Sequence, residues 1–146
     1  MDNDAYTRIE TPFREAAKPL MEQLRTALLA QGLGPFTEVE EIDRDIERGL
    51  GFSCTDNPDQ FVDLMLTDND THGAEGVGLI LTCSVYGSGQ VWAPGNFTED
   101  FAMTSADEVL ERLSTQFEPG EIADRVSREW ERMASCVEQP SSMRGA

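Results

Sequence analysis

Residues 76–95 constrain the fold most, because these twenty positions carry no charged side chain. Their core, GVGLILTCSVYGSGQV, contains four glycines, and Gly87 follows Gly76 by only eleven positions. A membrane helix needs about twenty predominantly apolar residues, which this segment does not offer. Residues 77–86 are apolar at both odd and even positions, which is typical of a central strand. The segment therefore predicts a central strand, followed by a glycine turn over 87–90 and a short strand at 91–93.

Residues 60–67 show the two-residue period of a half-buried strand. Val62, Leu64 and Leu66 fall on one face, and Asp63 and Thr67 fall on the other together with Phe61 and Met65. This alternation predicts a second strand of the same sheet.

Residues 36–48 fit two structures. Thr37 and Glu40 form a capping-box pair, and isoleucines recur at helical spacing, so a short helix is one interpretation. The alternative is a strand that places Ile42 on the same face as Leu50 and Phe52. We favour a strand from about Ile42 onward, and the helix stays open at this point.

Three stretches have the apolar stripe of an amphipathic helix. The first runs from Phe13 to Leu28, with Thr11-Pro12 as an N-cap and first-turn signal. The second follows the capping box Ser105-x-x-Glu108, and the third follows Pro119-Gly120. This order predicts an α+β fold: an N-terminal helix, an antiparallel β-meander of three to five strands, and two C-terminal helices packed on one face. We expect a single domain over 1–138 and a disordered tail over 139–146.

The amino-terminal residues lack a basic segment followed by an apolar run, so we expect no secretory signal. Three cysteines, Cys54, Cys83 and Cys136, have no CxxC spacing, which argues against a disulfide framework and a zinc site. We expect buried free thiols and a cytoplasmic location.

The charge of the chain is strongly negative and uneven. Eleven basic and 28 acidic residues give −17 at neutral pH. Residues 36–75 contain twelve acids and two bases, a net charge of −10, whereas residues 1–35 are nearly balanced. This composition argues against direct binding to nucleic-acid phosphates and to anionic lipid, both of which require clustered Lys and Arg.

The acidic segment is the best functional signal in the sequence. Read as one strand, it places Glu41, Asp43, Asp45 and Glu47 on a single face. Carboxylates gathered in this way repel one another and steer association with a basic protein surface. The residues predicted to bind such a surface are Glu38, Glu40, Glu41, Asp43, Asp45, Glu47, Asp63, Asp68 and Asp70. The predicted function is that of a non-catalytic acidic binding protein, such as a decoy inhibitor of a nucleic-acid-binding enzyme or an immunity protein.

Little in the sequence indicates catalysis or metal binding. The single histidine, His72, follows Asp68 and Asp70 in a loop that partly matches a calcium-binding motif. The match fails where the motif requires a bidentate Glu, because that position is Leu79. No nucleophile elbow, P-loop, dinucleotide fingerprint or HExxH motif occurs. We therefore expect no enzyme activity, no catalytic residue, no metal site and no cofactor; a small enzyme using His72 with the two aspartates is a further alternative.

The order of elements, the small size and the acidity resemble the type III secretion chaperones. The resemblance implies a homodimer that holds its client on an apolar surface beside the sheet. Those chaperones have a helix between their strands, and this chain shows no such break over residues 60–96. A small dimeric chaperone or adaptor is thus the second candidate function.

Overall fold

The computed structural model describes residues 3–44, 47–68, 76–85, 87–94 and 103–145, with the backbone alone at residues 88 and 135–145. The elements follow the predicted α+β order, with an N-terminal helix, five strands and two C-terminal helices. Their bounds are α1 Asn3–Ala30, β1 Glu40–Asp43, β2 Glu47–Ser53, β3 Phe61–Asp68, β4 Val77–Ser84, β5 Ser88–Trp92, α2 Ala106–Gln116 and α3 Pro119–Gly145.

Helix α1 begins at Asn3, so the Thr11-Pro12 start signal lies inside it, and both Pro12 and Pro19 are helical. Tyr6 and Ile9 continue the apolar stripe of α1 from Phe13 toward the N-terminus, and all three side chains are buried. Burial of such side chains stabilises by about 1.5–3 kcal/mol each, which offsets the cost of an interior proline, about 3 kcal/mol. Tertiary packing therefore overrides the local start signal.

The five strands form one antiparallel sheet in the sequential order β1-β2-β3-β4-β5. The predicted central strand is confirmed as β4, which pairs with β3 on one side and β5 on the other. Strand β5 begins at Ser88, so the predicted turn over 87–90 is too long: Gly89 and Gln90 already pair with β4.

Strands β1 and β2 pair antiparallel, and we call this pair the β1–β2 hairpin; the pairing excludes the helical alternative for the described part of residues 36–48. Strand β1 pairs with β2 in a register that sets Glu41 opposite Leu50 and Asp43 opposite Arg48. The preferred strand interpretation is confirmed for Ile42, Asp43 and residues 47–53, but the predicted face of Ile42 is wrong. Ile42 pairs with Gly49 and lies on the side of Asp63, opposite to Leu50 and Phe52, because the chain reverses direction between the two strands. Ile46 lies outside the described residues.

All three helices pack on one face of the sheet. The strand residues of the main core share that face, including Leu50, Val62, Leu64 and Leu81, and each is at most 2 % exposed. We call the opposite face, which includes Asp63, the open face. Helix α1 lies over β2 and β3, and α3 lies over β4 and β5.

The capping signal of α2 is confirmed, whereas Pro119-Gly120, predicted to precede the last helix, forms the first residues of α3. The Ser105 hydroxyl accepts a hydrogen bond from the backbone N–H of Glu108 at the start of α2, and α3 begins at Pro119. Helix α3 continues to Gly145 and so includes most of residues 139–146, for which the sequence predicts disorder. The division into domain and tail stays a prediction. None of the described helices combines the length and the apolar character that a membrane span requires.

Candidate functional site

The outer edge of the sheet at β1 carries a row of exposed carboxylates. Strand β1 is the first strand of the sheet, so it has a strand neighbour on one side only. Glu38, Glu40, Glu41 and Asp43 are all exposed along or just before this strand. We call these four residues the acidic edge. Charged side chains on an edge strand also discourage unwanted strand pairing, so the edge has a structural role in addition to any binding role.

The acidic segment does not present one face, which corrects the predicted alignment of Glu41, Asp43 and Glu47. The chain reverses direction between β1 and β2, and paired residues of antiparallel strands point to the same face. Glu41 and Asp43 therefore share the helix-covered face with Leu50 and Arg48, and Glu47 lies on the open face. Asp45, the fourth residue of the predicted row, lies outside the described residues.

On the helix-covered side, Arg14 of α1 binds carboxylates of the hairpin. Its guanidinium lies 3.1 Å from the Glu41 carboxylate and 2.5 Å from that of Asp43. It also donates to the backbone carbonyl of Ile42 at 3.2 Å. One arginine thus fixes the hairpin against α1, although 68 % and 70 % of the Glu41 and Asp43 side chains remain exposed.

Glu10 connects this arginine to the next strand. Its carboxylate lies 2.9 Å from Arg14, one turn away on the same helix, and 2.9 Å from Arg48 of β2. The Arg48 guanidinium also lies over the ring of Tyr6, 5.2 Å from its centroid, and the Tyr6 hydroxyl donates to the backbone carbonyl of Leu66. The Arg14 cluster, which we define as Glu10, Arg14, Glu41, Asp43 and Arg48, therefore contains three carboxylates and two guanidiniums.

On the open face, Asp63 is a buried carboxylate at the centre of the sheet. The residue is 8 % exposed, and the nearest guanidinium, that of Arg44, lies 3.8 Å away. Burial raises the pKa of the Asp63 carboxyl to about 6; Arg44 lowers it and Glu47 raises it by smaller amounts. Arg44 is itself 3.7 Å from Glu47, so here too the carboxylates outnumber the guanidiniums.

A cavity of about 240 Å³ opens beside this carboxylate. Gly51 forms part of its wall, and a side chain there would collide with Asp63 Oδ1 and with the Ile42 side chain. The absence of a Cβ at this position is what makes room for Asp63. We define the Asp63 cavity by the lining residues Glu40, Ile42, Arg44, Gly51, Phe61 and Asp63.

Of the remaining predicted site residues, the structure describes Asp68 and not Asp70. Asp68 is half-buried at the end of β3, opposite Val77 of β4. Asp70 and His72 lie outside the described residues, so the structure does not place the predicted loop of His72. Trp92 is a core residue: it is buried, its ring packs edge-on against Phe117, and its indole N–H donates to the backbone carbonyl of Gln116.

The described residues include acids and two cysteines, which are side-chain types that can bind a metal or act as a nucleophile. They contain no group of three or more His, Cys, Asp or Glu residues arranged to hold a metal ion. Cys54 and Cys83 are buried free thiols, as expected, and burial raises the pKa of Cys83 to about 12 and that of Cys54 in the same direction. Thiols with raised pKa values are poor nucleophiles.

The cations of the site, and Glu10, were not predicted from the sequence. The i,i+4 spacing of Glu10 and Arg14 indicates an ion pair on a helix and could have been noticed. No local pattern links Arg14 to Glu41 or to Asp43, because these contacts depend on how the hairpin docks on α1.

The sequence matches no family model, and the comparisons with curated proteins and with solved structures also found no match. The functional argument therefore depends on the geometry and charge of the chain itself.

Proposed function

We propose that this protein is a non-catalytic, cytoplasmic binding protein that engages a basic protein surface through the β1–β2 hairpin. An inhibitor that occupies the basic groove of a nucleic-acid-binding enzyme, or an immunity protein against a basic toxin, is the concrete form of this function. Glu38, Glu40, Glu41 and Asp43 supply the outer contacts.

The observation that carries the proposal is that carboxylates outnumber guanidiniums in and around the β1–β2 hairpin. Five carboxylates, those of Glu10, Glu41, Asp43, Glu47 and Asp63, share the guanidiniums of Arg14, Arg44 and Arg48. Glu38 and Glu40 add two carboxylates with no ion pair among the described residues. A fold that fixes more carboxylates than cations at one edge presents an electrostatic surface complementary to a basic partner.

The chaperone alternative receives less support from the described surface. Among the described residues, Leu29 is the one large apolar side chain exposed by more than a third, at 38 %. A chaperone or a stable homodimer of this size needs a contiguous apolar patch, and single exposed leucines are common on monomers.

The test is recovery of partners from the native host with the purified chain as bait at two salt concentrations. The screening length falls from about 10 Å at 0.1 M salt to about 3 Å at 1 M, so contacts across the acidic edge weaken strongly over this range. We expect a basic protein to be retained at about 0.1 M salt and released at about 1 M.

The informative bait variant is Glu38→Gln with Glu40→Gln, because it removes charge from the edge without breaking an ion pair of the described residues. The matched control is Glu111→Gln with Glu131→Gln, two exposed positions on α2 and α3. The proposal requires weaker retention by the first variant and unchanged retention by the second. Equal retention by both variants, or retention that salt does not change, would contradict it.

A further inference from the structure

The Asp63 carboxylate lacks the compensation that a buried charge normally has. No hydrogen bond reaches it within the described residues, and the separation of 3.8 Å from Arg44 is beyond hydrogen-bond distance. Arg44 is itself more than half exposed, so solvent competes for it. The Asp63 side chain is 11 % exposed, so its carboxylate keeps limited contact with solvent through the cavity, and burying a charge to this extent with so few partners is unfavourable.

The surroundings of this carboxylate favour a cation over other ligands. The cavity wall includes the acids Glu40 and Asp63 against one guanidinium, that of Arg44; Glu41 also lines the cavity, but its carboxylate pairs with Arg14 on the other face. Ile42 and Phe61 add apolar surface to the same wall. Basic side chains match this combination, because their apolar stems pack on such surface while the charged end reaches a carboxylate, and an aromatic face adds a cation–π contribution.

The size of the cavity limits the ligand. Pockets for drug-sized molecules measure about 300–1,000 Å³, and the Asp63 cavity, at about 240 Å³, falls below that range. The space suits one extended side chain rather than a complete cofactor. The cavity also borders the acidic edge, since Glu40 and Glu41 belong to both.

We infer that the Asp63 cavity receives a single arginine or lysine side chain of the basic partner, with Asp63 as its counter-ion and Ile42 and Phe61 beside its stem. The inference rests on the proposed function and specifies the contact at its centre. Entry of the partner's side chain leaves Arg44 paired with Glu47. Glu40 then lies at the solvent-exposed rim of a buried charged contact, an arrangement typical of binding hot spots.

The test uses N-acetyl-argininamide as a probe of the full-length chain, with the neutral isostere N-acetyl-citrullinamide as the comparison, followed by backbone amide chemical shifts. We expect saturable shifts at Gly51, Phe61 and Asp63 with the arginine compound and none with the citrulline compound. Asp63→Asn keeps the shape of the side chain and removes its charge. It should weaken binding by about tenfold or more, because a charge-assisted hydrogen bond is lost.

The matched control is Asp59→Asn, an exposed acid just before β3 that does not line the cavity. It should bind the arginine compound within about twofold of the unmodified chain, as expected for an exposed position. Equal affinity of the Asp63→Asn variant would overturn the inference. Glu22 and Glu38 line a separate cavity between α1 and the segment before β1. Chemical shifts centred on these two residues, or equal binding of the citrulline compound, would also overturn the inference.

Failure of this inference and failure of the proposed function give different results. A partner that is retained in a salt-sensitive way equally by the unmodified chain and by Asp63→Asn overturns the cavity contact and leaves the acidic-edge function standing. Binding of the arginine compound at Asp63, combined with retention of partners that salt does not change, supports the cavity and contradicts the proposed function.

Discussion

The two edges of the sheet are built in opposite ways. At the β5 edge, α3 packs so closely that a side chain on Gly89 would collide with Glu129 and Met133, and the Trp130 indole donates to the backbone of Ser84. At the β1 edge, contact with the helices relies on arginines. The comparison teaches that apolar burial holds one edge, whereas the other edge carries excess negative charge, which is where we propose that a basic partner binds.

The largest effect on the free energy of unfolding should come from the β5 edge, where α3 packs on the sheet. Trp130 is 4 % exposed and also packs against Phe36. Trp130→Ala should lower the free energy of unfolding by about 3–5 kcal/mol, as for other large buried aromatics, measured by urea denaturation. Trp130→Phe keeps most of the packing and should cost clearly less. A loss below about 1 kcal/mol for the alanine variant would contradict this description of the β5 edge.

The second effect concerns Asp63, whose replacement should raise the free energy of unfolding instead of lowering it. The pKa of the Asp63 carboxyl is about 6 in the folded protein and about 3.8 in the unfolded chain. The stability that this difference contributes is therefore fully present below about pH 4 and is lost as the pH rises through about 6. A difference of about two units corresponds to about 2–3 kcal/mol. Asp63→Asn should therefore stabilise the chain at neutral pH by up to about this amount.

The measurement is the free energy of unfolding of both proteins between pH 4 and pH 7. The difference in free energy of unfolding between the two proteins should increase from pH 4 to about pH 6 and then level off toward pH 7. Asp59→Asn, in the loop before β3, should show no such growth. A variant less stable than the unmodified chain at neutral pH would mean that Asp63 is adequately compensated in the free protein.

The third effect concerns Glu10, the most buried acid of the Arg14 cluster. Glu10→Gln leaves the guanidiniums of Arg14 and Arg48 without their shared carboxylate. We expect a loss near the lower end of the ~1.5–3 kcal/mol that hydrogen bonds to charged groups contribute, measured by urea unfolding. Glu15→Gln, at an exposed position of the same helix, is the control and should change stability by less than about 0.5 kcal/mol.

The smallest effect is expected at the acidic edge itself. Glu41→Gln and Asp43→Asn each remove one ion pair with Arg14, but both side chains are about 70 % exposed. Exposed ion pairs contribute about 0–1 kcal/mol, so unfolding should change by no more than that. A larger loss from either variant would show that these acids serve the fold, and the contrast between the two edges would not hold.

The fold was largely predictable because its strands and helices carry their periodicity locally. The alternation of Val62, Leu64 and Leu66 and the uncharged β4 specify a sheet with one apolar face. The hairpin was less predictable, because the turn between β1 and β2 interrupts the pattern and moves Glu47 to the face opposite Glu41. The start of α1 was mispredicted because a proline signal competed with burial of Tyr6 and Ile9.

The segment that contains the candidate site was predictable from the sequence, but the contacts among its side chains were not. Asp63 alternates with buried residues, which correctly indicates the open face, but its burial follows from Gly51 on the neighbouring strand and from the Ile42 side chain of β1. These neighbours are set by strand register, which the sequence alone does not specify. The same applies to Arg14, whose hairpin partners lie 27 and 29 positions along the chain.

The most direct measurement is the dissociation constant of the recovered partner across a salt series, by calorimetry, for the unmodified chain and for the Glu38→Gln, Glu40→Gln variant. The account predicts that the affinity of the unmodified chain falls steeply between about 0.1 M and 1 M salt, and that the variant shows a shallower dependence and weaker binding at low salt. A dissociation constant that is insensitive to salt and identical in the two proteins would contradict it.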